Sequence, residues 1–239
     1  MPDQIHEALP PPRATAERPL LGQTVLVVED SRFASEALRL MCQRSGARIR
    51  RADSLRAAAR HLATYRPSVA IIDAGLPDGS GLTLIAELAV AQPRISVILA
   101  SSGDAEIEKD ALEAGADGFL PKPLNSVAAF QAAVLAHLPA EARPNGPRAA
   151  DGTRVSPDGL AFHDDLARAA KVAGAEQDSR TLGYLAQFLG GLGRSAGDRA
   201  LEEAASELAG ALRQGRKPEP SLNHLTGLVN ARLEQRRAV

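Results

Sequence analysis

An apolar run that ends on a carboxylate constrains this chain most. Val69-Ala70-Ile71-Ile72 is followed at once by Asp73, then by the turn-forming stretch Gly75-Leu76-Pro77-Asp78-Gly79-Ser80-Gly81, and then by a helical pattern. A run this short and this apolar fits a strand covered on both faces, as in a parallel sheet. Open α/β sheets build their sites at the carboxyl ends of such strands. Asp73 alone would only cap a turn, but two more strand ends carry charge. Thr24–Val28 runs into Glu29-Asp30, and Gly118-Phe119-Leu120 leads through Pro121 to Lys122-Pro123. If the strands are parallel, three carboxylates and an ammonium meet on one edge. Carboxylates that would repel one another suit a hard divalent cation such as Mg²⁺. A lysine beside them suits an incoming anion, most simply a phosphoryl group.

The rest of the first half supports that geometry. Phe33, Ala37, Leu38 and Met41 repeat at helical spacing up to Gly46. Arg48–Arg51 reads as an edge strand and Leu55–Tyr65 as a helix stopped by Pro67. Leu82, Ile85, Ala86 and Ala89 mark a third helix, and Ile95–Ala100 a fourth strand. Ala105–Ala114 is a helix, Asp117–Leu120 a last strand, and Val127, Phe130 and Val134 a last helix. Strands alternating with helices of this length predict a parallel sheet with helices on both faces.

These residues resemble a known pattern. Gln23 to Leu138 is similar to the receiver domain of two-component response regulators, on five parts in order: Glu29-Asp30, Asp73, the Leu76-Pro77-Asp78 to Gly81 turn, the hydroxyl of Ser101, and Lys122-Pro123. The resemblance implies a flavodoxin-like, five-stranded parallel sheet. It implies that Asp73 accepts a phosphoryl group from a phosphohistidine, with Lys122 contacting the phosphoryl oxygens and Ser101 donating its hydroxyl. Glu29, Asp30 and Asp73, with the backbone of Ala74 or Gly75, would hold Mg²⁺. Phe119 falls at the family's switch aromatic, and the Lys122–Pro123 bond is expected to be cis. Ser101 is chosen over Ala100 and Ser102 by strand register, to within one residue. The implied partner is a histidine kinase or phosphotransfer protein, or another receiver domain. The chain is then a phosphoacceptor that assists its own phosphorylation and dephosphorylation, and not otherwise an enzyme.

Residues 1–21, rich in Pro, Arg, Glu and Ala, read as a disordered tail. Residues 22–138 form the α/β domain, 139–159 a flexible linker with four prolines, and 160–239 a helical domain. Stripes at Phe162-Leu166-Ala169-Ala173, Leu182-Leu185-Leu189-Leu192, Leu201-Ala204-Ala205-Leu208-Leu212 and Leu222-Leu225-Val229-Leu233 predict an all-α four-helix bundle. A net charge of −1 gives no electrostatic reason for nucleic-acid or membrane binding. The single cysteine, Cys42, excludes a disulfide framework, and no run is long enough to span a membrane or is ordered like a secretory signal. The expected setting is cytoplasmic.

In the helical half, Gln187-Phe188-Leu189-Gly190-Gly191, with Gly197 and Leu201 beyond, is similar to the core of histidine phosphotransfer domains. Gln187 stands where that family carries its phosphorylated histidine, and Gly190 where it carries a lysine. At roughly 100° per residue, Gln187 points away from the leucine stripe, and Gly183, Gly190, Gly191 and Arg194 are placed on its face. Exposed helix glycines cost about 1 kcal/mol each relative to alanine. Such a face is read as a docking surface for a receiver, including the chain's own, or for a kinase helix, and Gly191→Arg is the substitution expected to block it. Two other readings stand beside this one. The first is a DNA-binding regulator with an unrecognised all-α output. The second is a relay through His163, which adjoins Asp164; His224 reads as a surface residue.

Overall fold

The computed structural model describes residues 13–146, 149–174 and 178–235. Five strands form a parallel sheet in the order β2-β1-β3-β6-β7: β1 Thr24–Val28, β2 Arg48–Ala52, β3 Val69–Asp73, β6 Val97–Ser102 and β7 Gly118–Pro121. A two-residue ribbon, β4 Gly75–Leu76 against β5 Gly79–Ser80, carries the Gly-rich turn. Alternation along the strands sorts side chains to two faces. Val25, Val27, Ile71 and Leu99 pack with helices α1 Arg32–Ser45 and α5 Val127–His137. Leu26, Val28, Ile72 and Ile98 pack with α2 Leu55–Thr64, α3 Gly81–Val90 and α4 Ile107–Glu113. Ser31, Ser54, Ser80 and Ser126 each cap a helix by accepting a backbone N–H. Gly46 ends α1 at a φ of 83°, where a side chain would be strained.

The order reverses between β1 and β3, which opens a crevice at their carboxyl ends. Glu29 and Asp30 follow β1 there, and Asp73 ends β3. The fourth sheet strand lies two residues later than the sequence predicts, because Asp73 pairs with Ser101 and draws Ser101 and Ser102 into the ladder.

Two boundaries differ from expectation. The first 12 residues of the expected disordered tail lie outside the described residues, but its end is not disordered. Leu20 is fully buried beside Met41 and Cys42, and its N–H donates to the Ser45 carbonyl. One buried leucine offsets the entropy of ordering a short segment. Leu20→Ala is expected to cost about 2–5 kcal/mol in urea unfolding; an unchanged midpoint would show that the segment adds nothing to this core. The expected flexible linker is also tied down. Arg143 donates to the Leu138 carbonyl at 2.7 Å, Val155 to the Asn125 carbonyl at 2.8 Å, and Val127 to the Thr153 carbonyl at 3.2 Å. Val155 packs on the α1–α5 core. The described parts of this stretch are held at Arg143 and at Thr153 and Val155, which find partners on the elements before them.

The C-terminal segment is all-helical: α6 Gly159–Ala173, α7 Ser179–Ala196, α8 Arg199–Arg213 and α9 Glu219–Gln235. Asp158, Asp178 and Asp198 cap the first three. Leu166, Leu185, Leu189, Leu192, Leu201, Leu208, Leu225 and Val229 meet in one core. That core also takes Phe33 from α1, whose ring meets Phe162 edge-on at 5.9 Å. Gly193 lies so close to Glu202 that a Cβ would fall 2.8 Å from its backbone nitrogen. Among the described residues, no helix is long and apolar enough to cross a membrane.

Candidate functional site

The parallel sheet does what the strand ends promised. Glu29, Asp30 and Asp73 are buried, and one oxygen of each lies within 4.8 Å of the others. Lys122 reaches in from the end of β7, its Nζ 2.7 Å from Glu29 Oε2 and 3.0 Å from Asp73 Oδ2. Its backbone N–H donates to the Ser102 carbonyl, and the Lys122–Pro123 bond is cis, as expected.

Burial and crowding shape the charge here. Burial, then the neighbouring Asp73 charge, pushes Glu29 up to about 8 against the pull of Lys122. Burial raises Asp30 to about 6, although a hydrogen bond from Tyr184 works the other way. Burial would depress Lys122, but Asp73 and Glu29 overcome it and hold the ammonium above the ordinary lysine range. Three carboxylates crowd round one ammonium in a desolvated pocket. That donor set, all oxygen, fits a hard divalent cation.

The remaining predicted residues fall around it. The Gly75 N–H lies 3.4 Å from Asp73 Oδ1. Ser101 is paired beside Asp73, but its hydroxyl donates to the Leu120 carbonyl at 3.0 Å and does not turn to the carboxylate. Phe119 is half-buried against the α2–α4 core. Asp78 accepts the N–H groups of Leu55 and Arg56, so it holds the start of α2.

Residues 25–134 match the family model of the response regulator receiver domain. This part of the chain is a receiver domain. Two curated relatives are similar to it. The virulence transcriptional regulatory protein PhoP of Salmonella typhi is 32% identical over 145 residues, 60% of this chain and 61% of the relative. The KDP operon transcriptional regulatory protein KdpE of Escherichia coli (strain K12) is 38% identical over 100 residues, 41% and 44% of the two chains. The chain thus spans less than two thirds of either relative's length. A solved response regulator from Burkholderia pseudomallei, with a phosphorylated aspartic acid, calcium ion and citrate, is 32% identical, with a TM-score of 0.42 over 46% of this chain and 65% of that one. Both curated relatives are named as transcriptional regulatory proteins, so the expectation against nucleic acid draws no support from them.

The receiver's acidic edge is covered by the chain's own helices. Asp165 of α6 is fully buried and acts as a second cap on α1: its carboxylate accepts Ser31 Oγ at 2.8 Å and the N–H groups of Arg32 and Phe33 at 2.9 and 3.0 Å. Asp164 pairs with Arg32 at 2.7 Å. Arg168, one turn on, donates to the Asp30 carbonyl at 2.8 Å, and its guanidinium lies 3.4 Å from Asp30 Oδ2. The Tyr184 hydroxyl donates to that same Oδ2. Arg194 donates to the Gly103 carbonyl and pairs with Glu202 at 2.8 Å.

Gln187 does leave the helical core, and its carboxamide sits over Gly75, where a Cβ would overlap it. Gly183 and Gly191 face open space and line a cavity of about 560 Å³ with Asp73, Lys122 and Gln187. Gly190 lines the same cavity, and a Cβ there would meet Ala205 of α8 at 3.5 Å, an ordinary contact. It lies near Gln187, as the 100° step predicts, toward the side where α8 packs. A Cβ at Gly191 would meet nothing within 4 Å. His163 Nε2 is buried without a hydrogen-bond partner in the described structure, and Asp164 is engaged by Arg32. His224 lies 3.4 Å from Glu207 on the surface. Sequence reasoning missed Asp165, Arg168 and Tyr184. An Asp-x-x-Arg pair on a helix signals one shared face, but nothing in the sequence says which surface it meets.

Proposed function

We propose that the chain is a response regulator of two-component signalling whose receiver accepts a phosphoryl group on Asp73 from a histidine kinase or phosphotransfer protein. An Asp73 oxygen forms the new bond to phosphorus as the bond from phosphorus to the donor imidazole breaks. Lys122, 3.0 Å from Asp73, is placed to pair with the transferred group. Glu29, Asp30 and Asp73, with the backbone near Gly75, would hold Mg²⁺, which when bound supplies charge neutralisation. The observation that carries this reading is the buried cluster of Asp73, Lys122, Glu29 and Asp30 at the strand ends of a receiver.

The C-terminal helices are, in this reading, a four-helix bundle of the phosphotransfer type that has lost its histidine. An amide at position 187 neither carries phosphate nor acts as a base, so the bundle binds without relaying. Its partner is the chain's own receiver, held at high effective concentration by the tether. Phosphorylation shifts the balance between docked and free helices and so controls what they meet next. The setting is cytoplasmic. A Mg²⁺ titration tests the site: Asp30→Ala should weaken binding about tenfold or more, while Glu113→Ala, an exposed control, should leave it unchanged. Equal effects would remove the metal assignment.

The curated relatives favour a second reading, control of transcription. A salt-dependent mobility shift of duplex DNA would support it.

A further inference from the structure

The helices grip one carboxylate of the cluster with two donors. The Tyr184 hydroxyl and the Arg168 guanidinium converge on Asp30 Oδ2, and Arg168 also holds the Asp30 carbonyl. The Asp30 side chain is 1% exposed, so water does not share it. Both donors are themselves fixed. Arg168 lies over the Phe188 ring at 5.8 Å, the Tyr184 ring packs on Phe188, and Asp165 anchors the same turn of α6 to the start of α1. A guanidinium hydrogen-bonded to the Asp30 carbonyl and ion-paired at 3.4 Å with its carboxylate supplies what a bound cation would: positive charge at a desolvated site.

We propose that Arg168 and Tyr184 are a built-in substitute for the divalent cation, so that docking of the helices and binding of Mg²⁺ to the receiver exclude one another. This rests on the reading of Asp30 as a metal ligand. Tyr184 and Arg168 already occupy Asp30 Oδ2, and a divalent cation brought to that oxygen would be repelled by the guanidinium in the buried pocket. Mg²⁺ therefore has to displace Arg168, and the turn of α6 that carries Arg168 also carries Asp165, so losing one contact strains the other. Linkage makes the effect reciprocal: whatever factor docking costs Mg²⁺ affinity, Mg²⁺ costs docking. The receiver becomes competent for phosphorylation when the helices leave, and the cation helps to eject them.

The test uses the full chain and Mg²⁺ itself. Calorimetric titration of Arg168→Met/Tyr184→Phe should give Mg²⁺ affinity about 5- to 150-fold tighter than the unaltered chain, the usual range of such coupling. In the unaltered chain, Mg²⁺ should speed amide exchange at Arg32 and Phe33, whose N–H groups are covered by Asp165, and Asp30→Ala should abolish that response. This second measurement needs no folding of the double variant. Unchanged affinity in the double variant, or unchanged exchange at Arg32 and Phe33 under saturating Mg²⁺, overturns the inference while leaving Asp30 as a ligand. If Asp30→Ala binds Mg²⁺ as well as the unaltered chain, the metal assignment fails first and the inference falls with it.

Discussion

Asp73→Asn is expected to abolish phosphorylation while leaving the fold intact. The unaltered chain, given Mg²⁺ and a small acyl phosphate, should gain one phosphoryl group by intact mass. The amide has nearly the shape of the carboxylate but no anionic oxygen to attack phosphorus, and it loses the 3.0 Å pair with Lys122. Glu29 still holds that lysine at 2.7 Å, so the pocket keeps its cation and its packing. Removing one of three mutually repelling carboxylates relieves charge, so unfolding stability should stay the same or rise slightly. Undiminished labelling of Asp73→Asn would place the acceptor elsewhere.

Asp165→Ala should free the helices from the receiver. This carboxylate makes three hydrogen bonds across the domain boundary, at 2.8, 2.9 and 3.0 Å, two of them to the first N–H groups of α1. Bonds to a charged acceptor are worth about 1.5–3 kcal/mol each, though not additively. A loss of about 3 kcal/mol would weaken docking roughly a hundredfold. Helix α1 itself survives, because Ser31 Oγ still caps Ala34 at 3.1 Å. Burial raises the Asp165 carboxyl above its ordinary value against those bonds. Small-angle scattering should show a larger radius of gyration for Asp165→Ala, with circular dichroism unchanged. A radius equal to that of the unaltered chain would mean that the remaining contacts, Arg168 and Tyr184 with Asp30, Arg194 with Gly103 and Phe33 with Phe162, hold the helices without Asp165.

Local pattern determined a great deal. Apolar runs ending in Glu29-Asp30, Asp73 and Lys122 define parallel strands and their tips, because a strand buried on both faces can carry charge only where it leaves the sheet. The site follows from that directly. The periods of the last 80 residues likewise define helices and their inner faces, and they send Gln187 outward. Tertiary structure decided what lies against those outer faces. Asp165 and Arg168 meet Ser31 and Asp30 across more than 130 positions of chain, and Tyr184 meets Asp30 across 154. A helix period records which residues turn inward; it holds no information on which surface the outward ones meet. Leu20 and Val155 make the same point at the boundaries: a Pro-rich, polar stretch reads as loose until a neighbouring core offers its few apolar side chains a place. The chemistry of the edge was in the sequence; the chain's own cover over that edge came from the packing of distant side chains, which only the folded chain brings together.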